Sequence, residues 1–142
     1  MEVNEALVQY VKKGDLESDD DWAVMTAVRS GLSFVWFSDV TDKTPFTAKD
    51  WARMLHISER TMLRYKKENG VFDPIHSERI VEIAMLCRYG EQVFGNPEKF
   101  KQWIGIHNIA LGAKRPKDLL DTHIGISMVR DELVRIEHGV LA

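Results

Sequence analysis

Cysteine is almost missing from this chain: Cys87 stands alone in 142 residues. That excludes an internal disulfide and fits a reducing cytosol. Its neighbours Met85 and Leu86 suggest a buried thiol rather than a reactive one. Long apolar runs are missing too. The longest, Leu32 to Val40, is far too short to span a bilayer and contains Ser33, Ser38 and Asp39, so no membrane partner is expected. The opening Met1-Glu2-Val3-Asn4-Glu5 is acidic, which argues against a cationic secretory leader. There is no internal repeat and no low-complexity stretch.

Catalytic groupings are equally scarce. His56, His76, His107, His123 and His138 are scattered, with no metal-ligand pairing at helical spacing. The glycines form neither a phosphate loop nor a dinucleotide fingerprint. No enzyme, cofactor or metal is expected.

What is present is segregated charge. The net charge of −3 conceals an acidic start, where residues 1–42 hold three Lys/Arg against nine Asp/Glu. Residues 43–70 reverse this, with seven basic side chains against three acidic. A basic island in an acidic protein is the electrostatic footprint of a nucleic-acid contact. Such a chain binds DNA weakly as a monomer, so a dimer or larger complex is expected.

Nearly every segment reads as helix. Asn4 to Lys13 is a first candidate, and Ser18 offers the cap of a second, with Asp19 to Asp21 suited to its positive end. Leu32 to Phe37 has strand-like composition but helical surroundings, and is read as helix. Thr47, with Asp50 three residues on, caps a helix ending near His56. Ser58 caps the next, which Asn69-Gly70 stops. Ser77 is expected to start a long buried helix to Phe94, carrying Ile80, Val81, Ile83, Ala84, Leu86, Cys87 and Val93. Gly95-Asn96-Pro97 ends that helix and begins another with Phe100, Trp103 and Ile104. Lys114-Arg115-Pro116 opens a loop or short helical turn, and a last helix runs from about Thr122 to Gly139.

Within this string, Ala52-x-x-x-His56-Ile57-Ser58-x-x-Thr61-Met62-x-x-Tyr65 has the spacing of a helix-turn-helix. Ala52 lets the second helix cross closely, Ile57 plugs the turn, and Met62 and Tyr65 anchor the second helix. Trp51, Met54 or Leu55 anchor the first. Arg60, Arg64 and Lys67 then share one outward face. Ser58, Glu59 and Thr61 stand at the end that meets base edges. Arg60 or Arg64 suits a guanine, whereas Thr47, Lys49, Lys66 and Lys67 suit phosphates. His56 stands where the turn favours glycine; histidine is among the residues that tolerate positive φ. The same pattern is compatible with a helical hairpin whose basic face is merely solvated.

Downstream lie Asn96-Pro97 with Trp103, Asn108-x-Ala110-Leu111-Gly112, Arg115-Pro116-x-Asp118-Leu119-Leu120-Asp121-Thr122-x-x-Gly125, and Arg135-Ile136-Glu137-x-Gly139-Val140. As an ordered set these resemble the C-terminal domain of the Xre/MbcA/ParS family of bacterial antitoxins. Thr61, Arg64 and Ser77-Glu78-Arg79 resemble that family's helix-turn-helix half. Two positions depart from the pattern: His107 stands where proline is common and Ala113 where a second glycine is common. Ala113 there predicts an ordinary backbone angle and a differently shaped loop.

The resemblance implies an all-α protein, a helix-turn-helix helical bundle followed by a small helical C-terminal toxin-binding domain. The expected divisions are 1–42 (a helical segment for dimerisation or packing), 43–95 (DNA-binding) and 96–142 (toxin-binding). It implies an antitoxin that neutralises a RES-domain toxin, an enzyme consuming NAD or transferring ADP-ribose, by covering its active site. The expected partners are that toxin, the operator DNA of its own promoter and a second copy of the chain in a larger complex. Expected toxin-binding residues are Lys114, Arg115 and Lys117 on a projecting loop, with Arg135, Glu137, His138, Val140 and Leu141 at the end of the last helix. Leu119, Leu120 and Ile124 are expected to tie the loop to that helix, and Trp103 to be core. Arg135 and Glu137, two apart, must face different ways. The other reading is a stand-alone transcription regulator whose C-terminal half dimerises or senses a ligand.

Overall fold

The computed structural model describes residues 18–139. The helix expected over Asn4 to Lys13, and the tail residues Val140 and Leu141, lie outside the described residues. What is described is all-α and divides into two compact units, 18–85 and 86–139, the division falling upstream of the break at Gly95. Seven α-helices appear among the described residues. No helix among them is long and apolar enough to cross a membrane.

The first unit holds α1 (Ser18–Ser30), α2 (Phe34–Thr41), α3 (Ala48–Met54), α4 (Glu59–Glu68) and the first half of α5 (Pro74–Phe94). Ser18, expected as a cap, already lies within α1. The helix expected from Leu32 starts at Phe34, because Ser33 is its N-cap and accepts the Trp36 N–H at 3.2 Å. Leu32 and Ser33 are extended instead. The carbonyl of Leu32 accepts the Phe72 N–H at 2.9 Å and Phe34 donates to the Gly70 carbonyl at 2.9 Å. The strand-like composition of this run thus has a local outlet: one bridge, Ser33 to Val71.

The start of α5 corrects a second expectation. Asp73 caps it, its Oδ1 accepting the His76 N–H at 2.8 Å, and Pro74 occupies the first turn. There a proline's missing N–H costs nothing. Ser77 is freed for another task. Fully buried, its hydroxyl accepts the Leu32 N–H at 3.0 Å and donates to the Phe72 carbonyl at 3.3 Å. Around this node Phe37 lies 5.3 Å from Trp51 and 5.0 Å from Phe72, with Tyr65 4.8 Å from Phe72.

As expected, α5 is buried on more than one face: Ile80, Val81 and every residue from Ile83 to Cys87 are buried. Its second half belongs to the other unit, with α6 (Pro97–Ile104), 3₁₀ turns at Ile109–Leu111 and Pro116–Leu119, and α7 (His123–Glu137). Asn96 caps α6, accepting the Glu98 N–H at 2.7 Å. The aromatic buried in this unit is Phe100, at 0 % exposure, packed onto Gly90, where a Cβ would come within 2.2 Å of the ring. Trp103, expected as core, is only half-buried, 5.7 Å from Phe94 and 6.3 Å from Phe100.

Ser77→Ala leaves a buried N–H without its acceptor. It is expected to lower stability by about 1–3 kcal/mol, read by chemical denaturation. Phe100→Ala is expected to cost about 3–5 kcal/mol. Trp103→Ala should cost less than Phe100→Ala in the same assay, because its ring keeps part of its surface in water.

Candidate nucleic-acid interface and C-terminal surface

The reader motif is assembled from caps. Thr47 and Asp50 form a reciprocal box, each side-chain oxygen accepting the other's backbone N–H at 3.1 and 3.0 Å. Two orphan donors of α3 are thereby satisfied. After Met54 the chain reverses tightly: Leu55 donates to the Trp51 carbonyl at 2.9 Å and Ile57 to the Ala52 carbonyl at 3.0 Å. His56 accepts the φ of +57° that this turn demands, so its departure from glycine leaves the motif intact. Ser58 then caps α4. It accepts the Thr61 N–H at 3.0 Å and donates its hydroxyl to Thr61 Oγ1 at 2.9 Å. Asn69, at φ +50°, ends the helix.

α3 and α4 pack directly on each other. Ala52, Trp51, Met54, Leu55 and Met62 are buried, as the spacing requires, while Ile57 and Tyr65 are half-buried. What remains outward is Arg60, Arg64 and Lys67, all exposed, with Lys49 and Lys66 exposed beside them. Arg64 also lies 5.9 Å from the centre of the Tyr65 ring, a contact that partly orients its guanidinium. Ser58 and Thr61 stand at the leading end with their hydroxyls committed to each other.

In the second unit the loop expected to differ in shape is well fixed. Asn108 donates to the Lys114 carbonyl at 2.9 Å, and its own carbonyl accepts from Ala113 at 2.9 Å and Leu111 at 3.0 Å. These bonds hold Gly112 at φ +70° and carry Ala113 to φ +62°. The expectation of an ordinary angle at Ala113 is therefore wrong: backbone hydrogen bonds within the loop outweigh the Cβ penalty there.

Lys114 is exposed at the tip. Arg115, expected to project, is instead pinned: its Nε and Nη2 reach Asp118 Oδ2 and Oδ1 at 2.7 and 2.9 Å. This bidentate fork shapes the turn. Lys117 is half-exposed.

Thr122 caps α7 by accepting the Gly125 N–H at 2.9 Å. Gly125 lies so close to the preceding turn that a Cβ would come 1.7 Å from the Leu119 carbonyl oxygen. Leu120 is fully buried and ties the loop down, but Ile124, expected to help, is 73 % exposed. At the far end Arg135 pairs with Glu132 at 2.8 Å, while Glu137 accepts from the Tyr89 hydroxyl. Lost solvation, then that carboxylate, push Tyr89 upward from its ordinary value. The two side chains thus face different ways, as their spacing requires. His138 stands 4.0 Å from Glu137. The Cys87 thiol is buried, and loss of solvent raises its pKa far above the ordinary range.

Sequence reasoning missed a set of exposed large apolar side chains here: Ile106, Ile109, Ile124 and Met128. Ile124 and Met128 are one turn apart on α7, so an apolar pair outside the buried row Ile126, Val129 and Leu133 was the available signal.

Two family models match in sequence order. Residues 23–85 match the antitoxin Xre-like helix-turn-helix domain, and 90–139 the antitoxin Xre/MbcA/ParS C-terminal toxin-binding domain. The chain belongs to the Xre/MbcA/ParS antitoxin family. Among its relatives is Antitoxin Xre of Yersinia enterocolitica, 32 % identical over 63 % of this chain and 62 % of that protein. Antitoxin Xre of Photorhabdus laumondii is 27 % identical over 81 % of this chain and 78 % of its own length. Antitoxin Xre of Pseudomonas putida is 22 % identical over 87 % and 76 % respectively. The chain thus spans about three-fifths of the Yersinia relative's length. The two matched regions of this family member coincide with its two compact units.

Gly125→Ala drives a methyl group into a backbone carbonyl and is expected to destabilise the C-terminal unit by about 3 kcal/mol. Ala113→Gly relieves the positive φ and is expected to raise stability by up to about 1 kcal/mol. Melting curves of the two variants should shift in opposite directions.

Proposed function

We propose that this chain is the antitoxin of a type II toxin–antitoxin pair, using its C-terminal unit to hold a RES-domain toxin inactive and its helix-turn-helix to repress its own promoter. The observation that carries this reading is the coincidence of a toxin-binding family domain with a unit that leaves Ile106, Ile109, Ile124 and Met128 in solvent. Protein interfaces have an apolar centre and a polar rim. In this reading those four residues form the centre, with Lys114 and Lys117 on the rim and the end of α7 (Arg135, Glu137 and His138) extending over the toxin's cleft. The expected contacts of Val140 and Leu141 fall outside the described residues. Arg115 acts by fixing the loop through Asp118 rather than by touching the toxin. A site built for a dinucleotide carries charges, so a polar plug suits it. NAD consumption or ADP-ribose transfer is the chemistry such a plug would stop, with no catalysis by this chain.

On the DNA side, Arg60 and Arg64 read base edges, and Thr47, Lys49, Lys66 and Lys67 hold phosphates. Ser58 and Thr61 set the leading end of the helix. The basic face is modest, so two copies acting together on two half-sites supply the affinity.

Replacing both Arg60 and Arg64 with alanine should abolish a gel shift with promoter DNA while leaving toxin neutralisation intact; an unchanged shift refutes the groove assignment. Ile124→Asp combined with Met128→Asp should release toxicity in co-expressing cells, with the variant still folded by circular dichroism. Full protection by that variant would move the toxin contact elsewhere.

A further inference from the structure

The remaining open surface lies on the first unit. Between α1 and the start of α5 runs a groove of about 520 Å³, floored by Val24, Met25, Val28 and Val81 and walled by Ile75. Ile75 is 79 % exposed, and Trp22, on α1 outside the groove lining, is 68 % exposed. A tryptophan left this open on a helix is a common anchor of protein interfaces.

Four charged side chains line the groove, Glu78 and Glu82 from α5 and Asp21 and Arg29 from α1, and the α1 pair carries both signs. Asp21, Met25 and Arg29 occupy successive turns of α1, four residues apart, and all three line the groove. Met25 is thus the midpoint between an acid and a base separated by eight residues, about 12 Å along the axis. Asp21 and Arg29 are exposed, and among the described residues neither has an ion-pair partner. When a second α1 is laid antiparallel with Met25 against Met25, Asp21 of each copy comes level with Arg29 of the other. The stripe is therefore its own complement about a two-fold axis, the condition for an isologous contact. Trp22, near the Arg29 edge of the stripe, comes beside the other copy's guanidinium, where an indole face attracts a cation.

We infer that α1 is a self-association surface, pairing antiparallel with α1 of a second copy about Met25. This rests on the two-copy assembly proposed above and specifies its interface.

The test is sedimentation velocity of the full chain across a concentration series. Wild type should dimerise. Asp21→Arg sets arginine against Arg29, and Arg29→Asp sets aspartate against Asp21. Each should weaken the dimer about tenfold or more, from two lost pairs and two repulsive ones. Combining Asp21→Arg with Arg29→Asp restores both pairs with inverted sign and should return the association to near the wild-type level. Both positions are exposed, so the variants should match wild type by circular dichroism. A wild-type chain that stays monomeric sinks the two-copy reading itself. A dimer indifferent to the single reversals, or single losses that the combined variant fails to rescue, overturns this interface alone. The first of these is also the outcome if residues 1–17 of the same chain cover the face.

Discussion

The hydroxyl of Ser77, fully buried, holds together the chain before α2, the chain after α4 and the first turn of α5. A buried backbone N–H needs an acceptor, and Leu32 finds it only there. With Leu32 fixed, its carbonyl receives Phe72, and Phe72 in turn stacks against Phe37 and Tyr65. Tyr65 belongs to α4. The orientation of the basic face thus depends on a polar contact well behind it, and the aromatic cluster converts that contact into a rigid seat. Polar fixing and apolar packing are not alternatives here; the first sets the register in which the second becomes possible.

Much of this was legible in the sequence because it is local. The Thr47–Asp50 box, the Ser58 and Asn96 caps, the Asn69 stop and the Thr122 cap are each decided by a few neighbouring residues. The outward placement of Arg60, Arg64 and Lys67 followed from the same periodicity. What was misread turns on geometry that residue type alone does not reveal, and at Ser77 on a contact distant in sequence. Ser77 looked like a cap because serine usually is one, yet Asp73-Pro74 held that role and the hydroxyl was needed 45 residues away. Ala113 looked too bulky for a left-handed angle, but Asn108 holds the loop from both sides. Ile124 was read as packing because isoleucine usually packs. Arg115 was read as reaching outward, and only the turn geometry brings it onto Asp118.

The C-terminal unit shows how a small domain acquires a stiff surface. Phe100 is seated on Gly90, and Leu120, Val129 and Leu133 are fully or almost fully buried in the same unit. Backbone contact substitutes for bulk: Leu119 meets Gly125 with no side chain between them, and the Asn108–Lys114 pairing closes the preceding loop. A surface so fixed loses little freedom when it meets a partner, which favours tight association over a larger but looser patch.

The seclusion of Cys87 has a practical corollary. Only the thiolate reacts, and this sulfur is both desolvated and held protonated, so oxidants and alkylating probes have no foothold on the native chain. A cysteine introduced on the surface would then be the one reactive thiol of the folded molecule, and a fluorophore attached there would report a single location.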